Sequence, residues 1–530
     1  MWVGKFALSD EGLPAGGVAW VDLGATAAVA PAVVNGAAYH PTYSSPDGIS
    51  ALYVTTEAVD SADQSIGGFR YRKDGVLRVY DATSAVPAGA STNQGIALTS
   101  DGQLCYTTGN TTSFNLNGVA VDTERRVYAA PLAFELQFAD AGAGVVTTTE
   151  AITAATPTFT RATTATTVLS TGLIGGVASG SPRSYYDPTS LTYLGYLAEG
   201  ARTNLCLQSE DLGTTWVNSN STESTNVAVA PDGASTADKL IQDGGGGGSI
   251  SQALTLTANQ TYTFSLFAKP SGFTQVQLGA SGGGSQAFVR YNASTGAVSI
   301  AADVGGNWTA PSSTAKQYPN GWWRFTLTFT CTTDAGTTAS VTVADTGDGT
   351  SGVLLWGMQV ENASFASSYI PTTTAAVTRN ADVLTYPTTG WLNASVGTVL
   401  VQFQLFGVGV RQTVFGDATT GNGRLDLRSR DASADQSDLT YGTGSGTVDL
   451  VGSAVAVNTT YKIAGAYGTD SVIAQNGTIG GTSSTDAALT ISNVGVGVLT
   501  SGLTPHFGPI RRVQYFGARL ANATLQALTA

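Results

Sequence analysis

Hydrophobic and polar side chains alternate with period two along most of the chain, in short runs bounded by Gly, Asn, Asp and Thr. That pattern predicts short antiparallel strands joined by tight turns. The clearest runs are Tyr262–Ala268, Trp323–Phe329 and Gly397–Phe403. Helical periodicity is nearly absent. The best helical segment is the last, Ala523–Leu528, with Asn522 expected to cap it through its side chain.

Residues 1–135 carry weak internal echoes: Asp74-Gly75, Asp101-Gly102 and Asn117-Gly118 each precede an apolar run. Such dipeptides supply the positive φ angles of tight hairpins, so each echo predicts a turn entering a strand, and the whole a small β module. Residues 136–204 are rich in Thr and Ala, hold Pro157, Pro182 and Pro188, and are expected to form an extended connector that lies against a neighbour. Residues 205–372 read as a first large β domain, interrupted by the glycine run Gly244–Gly248, which is expected to be a flexible loop. Residues 373–395 read as a linker and 396–530 as a last β domain.

Charge narrows the function classes. The 530 residues carry 24 Lys and Arg against 37 Asp and Glu, a net charge of −13, and only 12% of positions are charged. Hydrophobic residues make up 42%, so the chain has enough apolar surface to fold, unlike disordered sequences. No basic run exceeds Arg125-Arg126 or Arg511-Arg512, which argues against nucleic acid and against an anionic membrane surface as partners. The N-terminus lacks the apolar run of a signal peptide, and no stretch is long and apolar enough to span a bilayer.

Reactive side chains are scarce. The two histidines, His40 and His506, stand far apart in sequence, and Cys105, Cys206 and Cys331 lack chelating spacing. The cysteines are expected to be small buried hydrophobes, although a single disulfide stays open. No metal or other cofactor is expected. Glycan cleavage needs two carboxylates about 5 Å apart for retention or about 6.5–9.5 Å for inversion. Here the acids are scattered singly, often in turns such as Asp101-Gly102, Asp232-Gly233 and Asp348-Gly349.

Binding asks for less. In the 322–330 strand, alternation puts Trp323, Phe325, Leu327 and Phe329 on a core face and Trp322, Arg324, Thr326 and Thr328 on the other. Gln275 and Gln277 alternate with Val276 and Leu278, and Phe267 and Lys269 with Leu266 and Ala268. If those strands are neighbours, Trp322, Arg324, Gln275, Gln277 and Lys269 share a ligand-binding face. The plainer alternative is that this face packs under a loop or against another copy. In the last domain, Arg424, Asp426, Arg428 and Arg430 alternate with Leu425, Leu427 and Ser429, a solvated outer face that also discourages edge-to-edge aggregation.

An ordered set of motifs resembles bacteriophage virion proteins. Thr158–Arg161, Pro182-Arg183, Tyr186–Pro188 and Glu199–Leu205 resemble the stretch that precedes a jelly-roll module in phage fibre and spike components. Ser209–Asp211, Trp216, Ala230–Gly233, Thr236–Leu240, Tyr262–Lys269, Gly321–Arg324, Leu355–Glu361 and Phe365–Pro371 continue the likeness. Residues 396–530 resemble a concanavalin-A-like (laminin-G-like) sandwich through Tyr461–Ala464, Gln475–Gly477, Ile510–Phe516, Arg519-Leu520 and Leu525–Leu528. The resemblance implies an all-β, non-enzymatic structural protein of the virion surface, on head or tail, anchored to other virion proteins by residues 1–135. It implies attachment to host-surface saccharide through a carbohydrate-binding-like jelly roll. A decoration protein that contacts only virion neighbours is the alternative, and a polysaccharide depolymerase is disfavoured. A connector without its own core suggests a homo-oligomer, with a trimer favoured.

Overall fold

The computed structural model describes residues 156–530, apart from 245–246, 307, 333–336, 344–345, 420–422, 430–434, 443–447, 485–488, 490 and 500–503, together with strand segments between 63 and 150. The fold is all-β, with one α-helix among the described residues, Asn522–Thr529. That helix begins at Asn522 itself: Ala521 takes the cap position and makes no side-chain bond, which corrects the expected capping role.

In the N-terminal part, strands Leu77–Val79, Leu104–Thr108 and Ala120–Val121 each begin two residues after an expected turn dipeptide, while the dipeptides lie outside the described residues. Antiparallel pairing joins Phe69–Arg72 to Leu77–Val79 and Gln94–Leu98 to Leu104–Thr108.

Two sandwiches make up the rest. The first, within residues 217–361, stacks two six-stranded antiparallel sheets. One sheet runs in the order Val217–Ser219, Gly248–Leu254, Thr337–Val343, Gln275–Gly282, Ser285–Asn292, Val298–Val304. The other runs Ser221–Ala228, Ala237–Gln242, Gly352–Glu361, Gln260–Ser271, Trp323–Cys331, Trp308–Gln317. Alternating residues interdigitate between them, among them Phe264, Leu266, Val276, Leu278, Tyr291, Phe325, Leu327, Val341 and Met358. Cys206 and Cys331 are free thiols buried in this core, as small hydrophobes. Burial pushes the Cys206 thiol up to about 12. A Cys105→Ser chain is therefore expected to leave both thiols unreactive toward a disulfide reagent in buffer and to release two in denaturant; rapid native labelling would show that the core admits solvent.

The second sandwich pairs a nine-stranded with a seven-stranded sheet, and it does not begin at residue 396. The 136–204 stretch departs from an extended connector by supplying strands to both sheets. Leu132–Gly142, Val145–Glu150, Arg183–Tyr186 and Tyr193–Glu199 join the nine-stranded sheet, and Thr158–Thr160 joins the seven-stranded one. One edge of Phe507–Phe516 pairs with Gly397–Phe403; its other edge takes Tyr193–Glu199 along 507–510 and Leu132–Gly142 along 512–516. The 373–395 stretch is likewise no free linker: Val383–Pro387 pairs with Thr158–Thr160 and Asn493–Val496.

The first sandwich is thus inserted into the second. Chain enters it along Arg202–Asn204 and leaves along Val377–Arg379, and these two segments pair antiparallel to form a neck. Next to the neck lies a buried ionic cluster. Arg161 Nη1 donates to Asp382 Oδ1 at 2.8 Å, Arg183 bridges Asp382 and Glu199, and Arg379 bonds Glu199. Ser368 adds its N–H to Glu199 Oε1 at 2.8 Å and its hydroxyl to Oε2 at 2.6 Å. Further guanidinium donors reach backbone carbonyls of Thr166, Ala178 and Gly200, while the buried Nε groups of Arg183 and Arg379 make no hydrogen bond. A cluster this dry survives because nearly every charge has both a partner and hydrogen bonds.

Candidate functional site

The neck places one face of the first sandwich against the second, and a cleft of about 280 Å³ opens between them. Its floor is the outer face of strands Trp308–Gln317 and Trp323–Cys331. The turn joining those strands, Pro319–Gly321, uses positive φ at Asn320 (59°) and Gly321 (78°), the conformations that Asn and Gly tolerate best. Alternation after that turn sends Phe325, Leu327 and Phe329 into the core with Trp323 half-buried at its margin, as expected, and turns Arg324, Thr326 and Thr328 toward the cleft.

The walls come from elsewhere in the chain. The hairpin of Ala165–Val168 and Ile174–Val177 supplies one, residues 364–369 a second, and loops of the second sandwich with Gln404, Phe406 and Asn458 a third. Tyr185 stacks edge-on against Phe406, ring centroids 5.1 Å apart. Burial raises the pKa of the Tyr185 and Tyr318 phenols, so both keep their protons at neutral pH. At the rim, Lys316 Nζ pairs with Asp187 Oδ2 at 2.6 Å. Burial alone would raise the Asp187 carboxyl; hydrogen bonds from Lys316 and the Ser190 and Thr189 amides outweigh it and hold the carboxyl below its ordinary value.

Arg324 is fixed in this floor. Its Nη1 donates to the Ser367 carbonyl at 2.7 Å, Nη2 to Ser265 Oγ at 3.1 Å, and the guanidinium carbon lies 5.4 Å from the Phe267 ring centroid. Its buried Nε–H has no hydrogen-bond partner.

The five residues expected to share a face do not. Trp322 is 1% exposed, buried with Phe267, Tyr318, Trp356 and Tyr369 under Val168 and Ile174 of the hairpin, and its Nε1 donates to the Val229 carbonyl at 3.2 Å. No sugar can stack on a ring so placed. Lys269 is half-buried on the Gln260–Ser271 strand and is not among the cleft residues. Gln275 and Gln277 lie in the opposite sheet, which is not hydrogen-bonded to the strands of Lys269 and Arg324. There Gln277 Oε1 accepts from Arg290 Nη2 at 2.9 Å. Arg324 alone of the five lines the cleft.

Tyr185, Tyr318, Lys316, Phe406 and Asn458 were not singled out by sequence reasoning. Tyr185 and Asp187 stand in or beside the motif at 182–188, and the motifs Gly321–Arg324 and Phe365–Pro371 supply Arg324 and much of the 364–369 wall. The expected charged face at 424–430 has its backbone in the Gly423–Ser429 strand, but Arg430 and the side chains of Arg424, Asp426 and Arg428 lie outside the described residues. His506 is fully buried in the second sandwich, edge-on to Phe403 at 5.6 Å. Among the described residues no group of three or more His, Cys, Asp or Glu is arranged to hold a metal ion. Among the described residues that line the cleft, Asp187 supplies the one carboxylate. Asp232 and Asp348 cap their own turns: Asp232 Oδ1 accepts the Ala234 amide at 2.9 Å, and Asp348 Oδ1 the Ser351 amide at 2.6 Å.

No family model matches the chain, and no curated relative matches it. Among solved structures it is similar to the Ruminococcus gnavus IT-sialidase CBM40 bound to α2,6-sialyllactose, at 16% identity and TM-score 0.23, covering 26% of this chain and 84% of that one. Domain 4 of AbnA, a GH43 extracellular arabinanase from Geobacillus stearothermophilus, in complex with arabinotriose, gives 17% identity and TM-score 0.25, covering 32% and 81%. A Trypanosoma rangeli sialidase gives 10% identity and TM-score 0.23, covering 93% and 70%.

Proposed function

We propose that this chain is a non-enzymatic adhesion protein of a bacteriophage surface, and that it holds a host-surface saccharide in the cleft between its two sandwiches. The observation that carries the reading is the make-up of the cleft: aromatic rings of Tyr185 and Phe406, a fixed guanidinium, a rim of Ser and Thr hydroxyls, and room for one or two sugar units. Sugar rings present CH faces to aromatics and hydroxyls to amides and guanidinium groups, so such a lining matches them. Among the described lining residues the one carboxylate is already paired to Lys316, which supports a binding rather than a hydrolytic reading of the cleft.

The phage setting is supported by the ordered motifs from Thr158 to Pro371 and by the terminal motifs of the last domain. On this reading residues 1–135 dock to other virion proteins, and copies assemble, with a trimer favoured. Purified protein incubated with capsular or lipopolysaccharide from a susceptible host is expected to retain the polymer without shortening it. Shortened chains would make it a depolymerase. Absence of retention would leave a decoration role on the virion.

A further inference from the structure

We propose that Arg324 is the carboxylate-holding group of the cleft, and that the saccharide bound there is an acidic one, carrying a carboxylate on the sugar ring or its side chain. The inference rests on the glycan-attachment reading and names its ligand class.

Charge accounting around the cleft points to it. Arg161, Arg183 and Arg379 each have a carboxylate at ion-pair distance, and Lys316 has Asp187. Among the described residues Arg324 has none: its acceptors are the neutral Ser367 carbonyl and Ser265 hydroxyl. A half-buried guanidinium has lost part of its hydration, and neutral acceptors restore only part of that loss. The neck cluster beside the cleft adds a further excess, three guanidinium groups against two carboxylates. These positive groups sit in a chain of net charge −13, so the sign of the cleft is local and opposite to that of the whole.

Geometry suits the same ligand. Bonds to Ser367 and Ser265 and the Phe267 ring hold the guanidinium plane in place before any ligand arrives, leaving the Nη hydrogens that these bonds do not use for a planar, two-oxygen acceptor. Tyr185 and Phe406 provide apolar contact for the ring, and Ser313 and Thr328 line the floor with hydroxyls.

The test uses the full chain and two probes: a glucuronic-acid-containing oligosaccharide and the same oligosaccharide with its carboxyls reduced to hydroxymethyl groups. The acidic form is expected to bind about tenfold or more tightly than the reduced form, and Arg324→Gln to erase that difference. Arg324→Lys is expected to keep part of the preference, because a point charge lacks the two-pronged geometry. If Arg324→Gln does not fold, the unaltered protein still decides: added salt should weaken binding of the acidic form and leave the reduced form's affinity constant. Equal binding of the two forms by the unaltered protein overturns the acidic-ligand inference and leaves glycan attachment standing. An acidic preference that persists in a folded Arg324→Gln protein removes Arg324 from the role. Binding of neither form overturns the cleft as a glycan site altogether.

Discussion

Glu199→Gln is expected to destabilise the protein by about 3–5 kcal/mol, read as a lowered urea midpoint and as new proteolytic cleavage at the neck. The carboxylate accepts from Arg183, Arg379 and Ser368, and its side chain is fully buried. Removing its charge strands Arg379 and leaves Arg183 to share Asp382 with Arg161, where water cannot reach them. The replacement amide presents one oxygen where two were used and points hydrogens at cationic donors. Glu199→Met combined with Arg379→Met is expected to recover much of the loss, since buried ion pairs exchanged for apolar side chains of similar size are often neutral. The acid limb has a definite sign. Burial alone would raise the Glu199 carboxyl, but Arg379 and Arg183 outweigh it and hold the group far below its ordinary value of 4.5. The unfolded chain therefore takes up a proton first, and the stabilisation present above about pH 4.5 drains away as pH falls further. A Glu199→Gln protein with the parent's urea midpoint at neutral pH would show that the cluster does not hold the sandwiches together.

That cluster also bears on binding. Ser368 bonds Glu199, and its neighbour Ser367 offers the carbonyl that fixes Arg324. Glu361 accepts the Ser367 amide at 3.0 Å, so the 364–369 wall is tied both to the neck and to the edge of the first sandwich. Loosening the neck should thus free the Arg324 guanidinium as well as separate the two sandwiches.

Which parts of this could be read along the chain follows from the range of the interactions. Strands such as Gly397–Phe403 and Trp323–Cys331 announce themselves because alternation is a local signal that each strand carries alone. The all-β class and the buried cysteines follow from the same local reading. The insertion does not, because it depends on pairings across the chain: Thr158–Thr160 finds its partner at Val383–Thr385, and Leu132–Gly142 at Arg512–Phe516. A three-residue strand rich in Thr looks like linker until its partner is known. The candidate face failed for a related reason. Parity along each strand was right for Arg324 and for Gln277, but parity does not say which sheet a strand joins, and Gln275–Gly282 crosses to the other layer. Nor does it say what lies on top: Trp322 faces outward from its sheet and is sealed by Val168 and Ile174 of a hairpin some 150 residues earlier in sequence.

His506→Leu is expected to leave stability at neutral pH close to that of the parent and to flatten its loss between pH 6.5 and 4.5. The imidazole is fully buried, and neither ring nitrogen makes a well-formed hydrogen bond. Burial lowers its pKa from 6.5 to about 3, with the Gln404 backbone and the distant Glu199 charge giving weak support to the charged form. In the unfolded chain the same ring protonates near 6.5. Between those values the unfolded state holds the extra proton, so stability falls as pH falls, by about 1.4 kcal/mol per unit. By about pH 5 the deficit is roughly 2 kcal/mol, and it continues to grow toward pH 3. Glu199 adds to the loss only below its own ordinary value of 4.5, so the upper part of the window belongs to the imidazole. Leucine fills much of the ring's space next to Phe403 without polar atoms to satisfy, which is why the neutral-pH cost is small. Urea midpoints of the parent and the variant at pH 7.5, 6.0 and 5.0 measure this directly. Parallel decline of the two proteins across that range would mean that the buried histidine already carries its proton in the folded state.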